Sequence, residues 1–166
     1  ETAAAALRAY AERIGATLAV VGPESALAAG VADALSAAGV YTFGPDAETA
    51  RIETDKAYQR RFMAEHDLPG RPGFETFDEP EAAAAHVADL DRDVALKPRG
   101  LTGGKGVRVT GDQIDRAAAP DYVRESGYDE WVVEERLVGE EFTVQAFVAN
   151  GDVRTTPAVQ DHKRAY

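Results

Sequence analysis

Two stretches of the chain carry residue types that could do chemistry. In the first, Ala95 to Val107, four glycines fall within seven positions (Gly100, Gly103, Gly104, Gly106), with Lys97 just ahead of them and Lys105 among them. Glycine allows positive φ and lets successive amide N–H groups approach an anion, and the two ammonium groups supply opposite charge, so the stretch predicts a phosphate cradle. It is not the Gly-x-x-x-x-Gly-Lys-Ser/Thr loop, because Gly106 follows Lys105 and strands flank a loop that would need a helix; a dinucleotide fingerprint fails for the same reason. A glycine-rich hairpin with no ligand has the same composition, so both readings stand on this stretch alone. In the second, Val132 to Val144, Glu134 and Glu135 close one strand while Glu140 and Glu141 open the next. Carboxylates there suit hydrogen-bond donors such as ribose hydroxyls and the exocyclic amine of adenine, and would repel phosphates. A solvated acidic turn is the plain alternative.

Regular elements must position these side chains. Leu7, Tyr10 and Ile14 recur at helical spacing, which predicts a helix over Thr2 to Ile14 stopped by Gly15. Thr17 to Val21 reads as a short strand, broken at Gly22-Pro23-Glu24, with Ser25 placed to cap a helix reaching about Ala38 and ending at Gly39. Tyr41 to Phe43 is a second strand, closed by Gly44-Pro45. Helix, strand, helix, strand is the rhythm of a parallel sheet. Further helices are expected over Asp46 to about Glu53, Thr54 to His66 with Tyr58, Phe62 and Met63 on one face, Glu79 to Asp91, and Gln113 to Glu125, where Pro120 should break or kink the helix. Strands are expected at Phe74 to Phe77, on both sides of the glycine loop between Val94 and Val109, at Trp131 to Glu135, Glu141 to Ala149 and Val153 to Val159. Asn150-Gly151 is a hairpin turn between the last two.

Composition narrows the function. The 166 residues, 45% of them apolar, suffice for a buried core. No cysteine occurs, which excludes disulfides, thiolate metal sites and a cysteine nucleophile and points to a reducing cytoplasm. No apolar run of about 18 residues is present to span a bilayer, and Glu1 to Ala6 lacks the pattern of a signal peptide. With 29 acids against 18 bases the chain repels nucleic-acid backbones and anionic lipid, so a phosphate site has to be local. Lysine occurs at only Lys56, Lys97, Lys105 and Lys163. An acidic, lysine-poor surface of this kind predicts a halophilic protein, kept soluble where salt screens its self-repulsion. Of the three histidines, His66 ends a helix, where a cation complements the dipole, and His86 lies on a surface helix; both read as structural. No histidine pair has metal-ligand spacing, Ser25 is followed by no suitable base, and Ser36 and Ser126 sit in helix or turn contexts. Trp131 and Phe142 are expected in the core.

The order Asp55-Lys56 at a helix start, Lys97 before a glycine loop, and Glu-x-x-Leu-x-Gly-x-Glu from Glu134 to Glu141 about 30 residues later resembles the ATP-grasp superfamily. The resemblance implies that adenine lies between two β-rich lobes while a mobile loop closes over the phosphates. Lys56 and Lys97 would contact phosphates, and Gly103, Gly104, Lys105 and Gly106 would form the lid. Glu134 would take the adenine amine, the backbone of Glu135 and Leu137 the ring edge, and Glu141 the ribose. Within the superfamily, Val20-Val21-Gly22-Pro23-Glu24 and Phe43-Gly44-Pro45 are similar to the N-terminal domain of the phosphoribosylamine-glycine ligase family, where Gly22, Pro23 and Glu24 would face the phosphoribosyl substrate. Lys97 to Val107 resembles that family's lid, with Pro98-Arg99-Gly100-Leu101-Thr102 where many members have Ala-Asp-Gly-Leu-Ala. Gln160 to Arg164 also matches, which adds Asp161, His162, Lys163 and Arg164 as substrate residues.

The implied fold is mixed α/β and α+β: residues 1–48 as the remnant of an N-terminal α/β domain, 49–93 with 143–166 as the ATP-grasp core lobe, and 94–142 as the clamp lobe. The family's opening glycine-rich turn is missing, and the acidic and asparagine ligands of magnesium are expected beyond Tyr166, with none inside the chain. The chain is therefore expected to be a fragment, cut at both ends, that binds nucleotide weakly without turnover. The implied activity is ATP-dependent ligation of glycine to phosphoribosylamine in purine biosynthesis, by a cytoplasmic monomer that uses small molecules and no nucleic acid or membrane. Another ATP-grasp carboxylate-amine ligase or carboxylase, a non-catalytic nucleotide sensor and a plain α/β interaction domain stay open.

Overall fold

The structure, a computed structural model, describes residues 3–103 and 105–161. The candidates Gly104, His162, Lys163 and Arg164 lie outside the described residues. The chain forms two units, Glu1–Arg136 and Leu137–Tyr166.

The first unit begins with α1 (Ala3–Ile14) and β1 (Leu18–Val20). Two helices then replace the single one expected, α2 (Glu24–Ala28) and α3 (Val31–Ala37). Gly30 takes a left-handed φ of 71°, which ends α2, and Pro23 occupies its cap position with no side-chain cap, so Ser25 does not play that part. The next strand, β2 (Tyr41–Phe43), runs parallel to β1 with Leu18 opposite Tyr41 and Val20 opposite Phe43, as the alternation of elements requires. The helix expected from Asp46 shrinks to α4 (Arg51–Thr54), because the Asp46 carboxylate accepts the Thr49 N–H at 2.8 Å and holds a turn instead. Asp55 then caps α5 (Lys56–Glu65) by accepting the Tyr58 N–H at 3.0 Å.

The elements β3 (Phe74–Phe77), α6 (Pro80–Asp89), β4 (Val94–Pro98), β5 (Arg108–Val109), α7 (Ala119–Glu125) and β6 (Trp131–Glu135) follow. Pro120 does not interrupt a helix. It sits in the first turn of α7, where its missing N–H would have had no partner, after a separate 3-10 turn at Arg116–Ala118. The four strands make one antiparallel sheet in the order β3-β6-β4-β5. Side chains alternate across it. Val94, Leu96, Trp131 and Val133 pack on Ala83, Ala84 and Val87 of α6 and on Ala119 and Val123 of α7. Leu96 and Trp131, 0% and 1% exposed, centre that core, whereas Lys97 and Glu134 fall on the opposite face. β3 pairs with β6 along its whole length, so one hydrogen-bonded sheet holds residues from both sides of position 93.

The second unit holds β7 (Phe142–Thr143), β8 (Ala146–Ala149), β9 (Asp152–Thr155) and β10 (Val159–Gln160). β8 and β9 form the hairpin expected from Asn150-Gly151, both of which take positive φ, 51° and 85°. The two long strands expected here are each divided, with Thr156 N–H donating to the Gln145 carbonyl at the break. Phe142, expected in the core, is 68% exposed: among the described residues β7 pairs only with β10, and a two-stranded ribbon provides no second layer to cover it. No described helix is long and apolar enough to cross a membrane.

Candidate functional site

The face of the four-stranded sheet turned away from the core carries Lys97 and Glu134. Lys97 projects from β4, and its Nζ donates to Glu134 Oε2 at 2.6 Å. Arg60 of α5 reaches the same carboxylate with both arms of its fork, Nε to Oε1 at 2.7 Å and Nη2 to Oε2 at 3.2 Å. Glu134 is only 3% exposed. Burial by itself would raise its pKa, but the Arg60 hydrogen bond and the Lys97 charge outweigh that and hold it below the ordinary carboxylate value.

Lys56 stands one turn before Arg60 on α5, and a four-residue step keeps both on one helix face. Its Nζ donates to the Gly100 carbonyl at 2.6 Å, so it lies at the root of the glycine loop. Burial first and the charge of Lys97 second push the Lys56 ammonium below its usual pKa. The two lysines that the sequence singled out are therefore close enough to feel each other.

Arg99 ties this loop root to α5. Its guanidinium donates twice to Asp55, Nε to Oδ1 and Nη2 to Oδ2, and also to Glu130 Oε2. Its backbone joins the same elements: Lys56 N–H donates to the Arg99 carbonyl and Arg99 N–H to the Glu130 carbonyl, both at 3.0 Å. Burial would raise the pKa of Asp55, yet the hydrogen bonds from Arg99 and from Tyr58 N–H leave it lowered. Beyond Arg99 the loop turns at Gly103, φ 58°, and returns past Gly106, whose carbonyl accepts from the Tyr122 hydroxyl at 2.9 Å. A hollow of about 490 Å³ opens here, with Asp55, Arg99, Gly100, Leu101, Thr102 and Glu130 among its walls. A second hollow, of about 410 Å³, lies between α6 and the start of α7, and neither hollow is lined by Lys56, Lys97, Gly103, Lys105, Gly106 or Glu134.

The structure thus brings Lys56, Lys97, Gly103, Lys105, Gly106 and Glu134 into one unit, with Glu135 at the end of β6. Glu135 is committed to strand pairing: its N–H donates to Gly73 O at 2.9 Å, and its carboxylate accepts the Gly73 N–H at 2.8 Å. Gly22, Pro23 and Glu24 follow the carboxyl end of β1, the end at which parallel sheets gather ligands. Leu137, Glu141 and Asp161 lie in the second unit, where Asp161 N–H donates to the Glu141 carbonyl at 2.9 Å.

Sequence reading missed Arg60 and Glu130. Arg60 had a usable signal, its four-residue step from Lys56; Glu130 had none, because it meets Arg99 only through the β4-β6 pairing.

The chain matches two family models, the phosphoribosylglycinamide synthetase N domain over residues 1–53 and the phosphoribosylglycinamide synthetase ATP-grasp (A) domain over residues 54–166. The phosphoribosylamine–glycine ligase of Methanoregula boonei is 54% identical over 160 residues, which are 96% of this chain and 37% of that protein. The crystal structure of phosphoribosylamine–glycine ligase from Thermotoga maritima is 27% identical with a TM-score of 0.63, over 74% of this chain and 32% of that one. D-alanyl-alanine synthetase A of Vibrio cholerae, 13% identical with a TM-score of 0.69 over 86% of this chain and 44% of its own, shares the fold. The chain spans little more than a third of the length of the curated relatives that it matches.

Proposed function

Because the chain belongs to the phosphoribosylglycinamide synthetase family, with the N domain and the ATP-grasp (A) domain both represented, we propose that it is the nucleotide-gripping part of a phosphoribosylamine–glycine ligase. The whole protein joins glycine to 5-phosphoribosylamine and releases glycinamide ribonucleotide, ADP and phosphate. The observations that support this reading best are Lys56 Nζ on the Gly100 carbonyl, at the root of the glycine loop, and Lys97 Nζ on Glu134, on the sheet face away from the core.

The glycine carboxylate attacks the γ-phosphorus of ATP, the bond to the β-phosphate oxygen breaks, and ADP leaves with that electron pair. The amine of phosphoribosylamine then adds to the acyl phosphate carbonyl, loses a proton and displaces inorganic phosphate. Such a transfer asks for positioning and charge stabilisation more than for a covalent group of the protein. Lys56 and Lys97 supply positive charge, the amides of Gly103, Gly104, Lys105 and Gly106 close over the phosphates, and Glu141 accepts from the ribose. Glu134 takes the adenine amine with the acceptor capacity left beside Arg60 and Lys97. Since the N–H of Glu135 is held by Gly73, that residue meets the ring through its carbonyl, alongside the backbone of Leu137. Gly22, Pro23, Glu24, Asp161, His162, Lys163 and Arg164 serve the other substrates.

Magnesium would offset phosphate charge in such chemistry, and among the described residues no group of three or more His, Cys, Asp or Glu is placed to hold it. Its ligands would belong to the rest of the whole protein. Residues 1–48 form part of the domain that holds the phosphoribosyl group. Residues 94–142 form the clamp, which β3 joins. The whole protein acts as a cytoplasmic monomer, and the surplus of acids supports a salt-rich interior.

The test is ADP release by the full-length protein, which should require both glycine and phosphoribosylamine. Release driven by bicarbonate or another amine would replace this reading with a carboxylase or a different ligase, and failure to bind an ATP analogue would remove the nucleotide site altogether. This chain alone should bind the analogue without turnover.

A further inference from the structure

Resting on that nucleotide reading, we propose that Arg60 is a positioning residue: by taking the Glu134 carboxylate in its own fork, it keeps the charge of Lys97 available to the phosphates. A lysine and a glutamate alone would form a neutral pair, and a triphosphate would have to compete with the carboxylate for the ammonium. The geometry differs from that. Glu134 uses both oxygens on Arg60, at 2.7 and 3.2 Å, and receives a single bond from Lys97 on Oε2. The three side chains together keep one net positive charge.

The division of labour suits the two cations. A guanidinium matches a carboxylate with two parallel bonds and stays ionised, whereas an ammonium is a point charge on a flexible stem. The Arg60 side chain is 15% exposed and that of Lys97 25%, so Lys97 is the partner that a ligand reaches more readily. Arg60 is also fixed from behind, its Nη1 lying 3.1 Å from Gln59 Oε1 and 3.4 Å from Met63 Sδ. One helix face therefore delivers a phosphate-facing cation, Lys56, and one turn later the residue that neutralises the acid opposite.

The full-length protein tests this with inorganic triphosphate, a probe that lacks the adenine Glu134 is expected to recognise. Arg60→Gln should weaken its binding about tenfold, the scale of one lost charge in a partly buried site. Arg60→Lys, which keeps the charge but not the fork, should fall between the two. Adding Glu134→Gln to Arg60→Gln should free Lys97 and return affinity to within about threefold of wild type, a recovery that lost packing would not produce. Binding by Arg60→Gln equal to wild type, or a double variant as weak as the single one, overturns the proposal. Should Arg60→Gln fail to fold, Arg60→Lys decides alone, and affinity equal to wild type would sink the idea. If the wild-type protein binds neither triphosphate nor an ATP analogue, the nucleotide reading itself falls, and this inference with it.

Discussion

Arg99 and Asp55 meet through two parallel hydrogen bonds of 2.9 Å, which join the end of β4 to the residue that caps α5. One aspartate thus starts the helix that carries Lys56 and Arg60 and also anchors the root of the glycine loop. The family resemblance places an aspartate where Arg99 stands in many members; here the arginine turns that position into a strut between two carboxylates.

Asp55→Ala should remove both the cap and the strut. The cap is worth about 1 kcal/mol and charged hydrogen bonds of this exposure about another 1–2 kcal/mol. Urea unfolding followed by Trp131 fluorescence should show this chain destabilised by roughly 2–3 kcal/mol in total, with Asp55→Asn recovering the cap share. A change below about 0.5 kcal/mol would mean that the strut is ornamental.

Glu134 gives a pH signature. Its folded pKa lies below the unfolded value, so its stabilisation is complete above the unfolded carboxyl pKa of about 4.3 and is lost as pH falls through the lower folded pKa. Melting temperature should therefore drop below about pH 4.3, and Glu134→Gln should flatten that part of the curve. Parallel curves for the two proteins would contradict the assignment. At neutral pH the variant should melt lower, because Arg60 and Lys97 lose their shared counter-charge.

Two loop glycines should behave oppositely. A Cβ on Gly106 would lie 2.9 Å from Pro98 Cγ and 3.0 Å from Thr102 Cγ2, whereas one on Gly100 meets nothing within 4 Å. Gly106→Ala should cost about 1–3 kcal/mol and disturb the loop, while Gly100→Ala should be neutral or slightly stabilising by restricting the unfolded chain. Comparable losses in both, measured by urea unfolding, would refute the packing argument.

The acid surplus predicts salt dependence. Dialysis of this chain from molar salt into low-salt buffer should reduce its helical circular dichroism, since screening of a net charge of −11 is withdrawn. A spectrum that does not change would exclude the halophilic reading.

Much of the fold was legible in advance where local chemistry dominates. Tyr41–Phe43, Phe74–Phe77 and Trp131–Glu135 form strands at the expected residues, and Asn150-Gly151 turns its hairpin, because β-rich runs bounded by turn residues leave the backbone little choice. Errors arose where a single residue competed with periodicity. Gly30 split one helix, Asp46 bent another back into a turn, and Pro120 opened a helix that it was expected to break. Phe142 is exposed against expectation because burial depends on what lies above a strand, which a run of apolar residues does not encode.

The residue order carries the resemblance that marks Lys56, Lys97, the glycine loop and Glu134 as expected nucleotide residues, since spacing and side-chain type are local properties. It could not reveal that Arg60 grips Glu134 across 74 positions, or Asp55 Arg99 across 44. Those pairs exist because the sheet runs β3-β6-β4-β5 with α5 against the face opposite its core, and strand order is settled by packing between distant segments. Partnership among charges follows from that packing, which fixes both their distances and how much water is left between them.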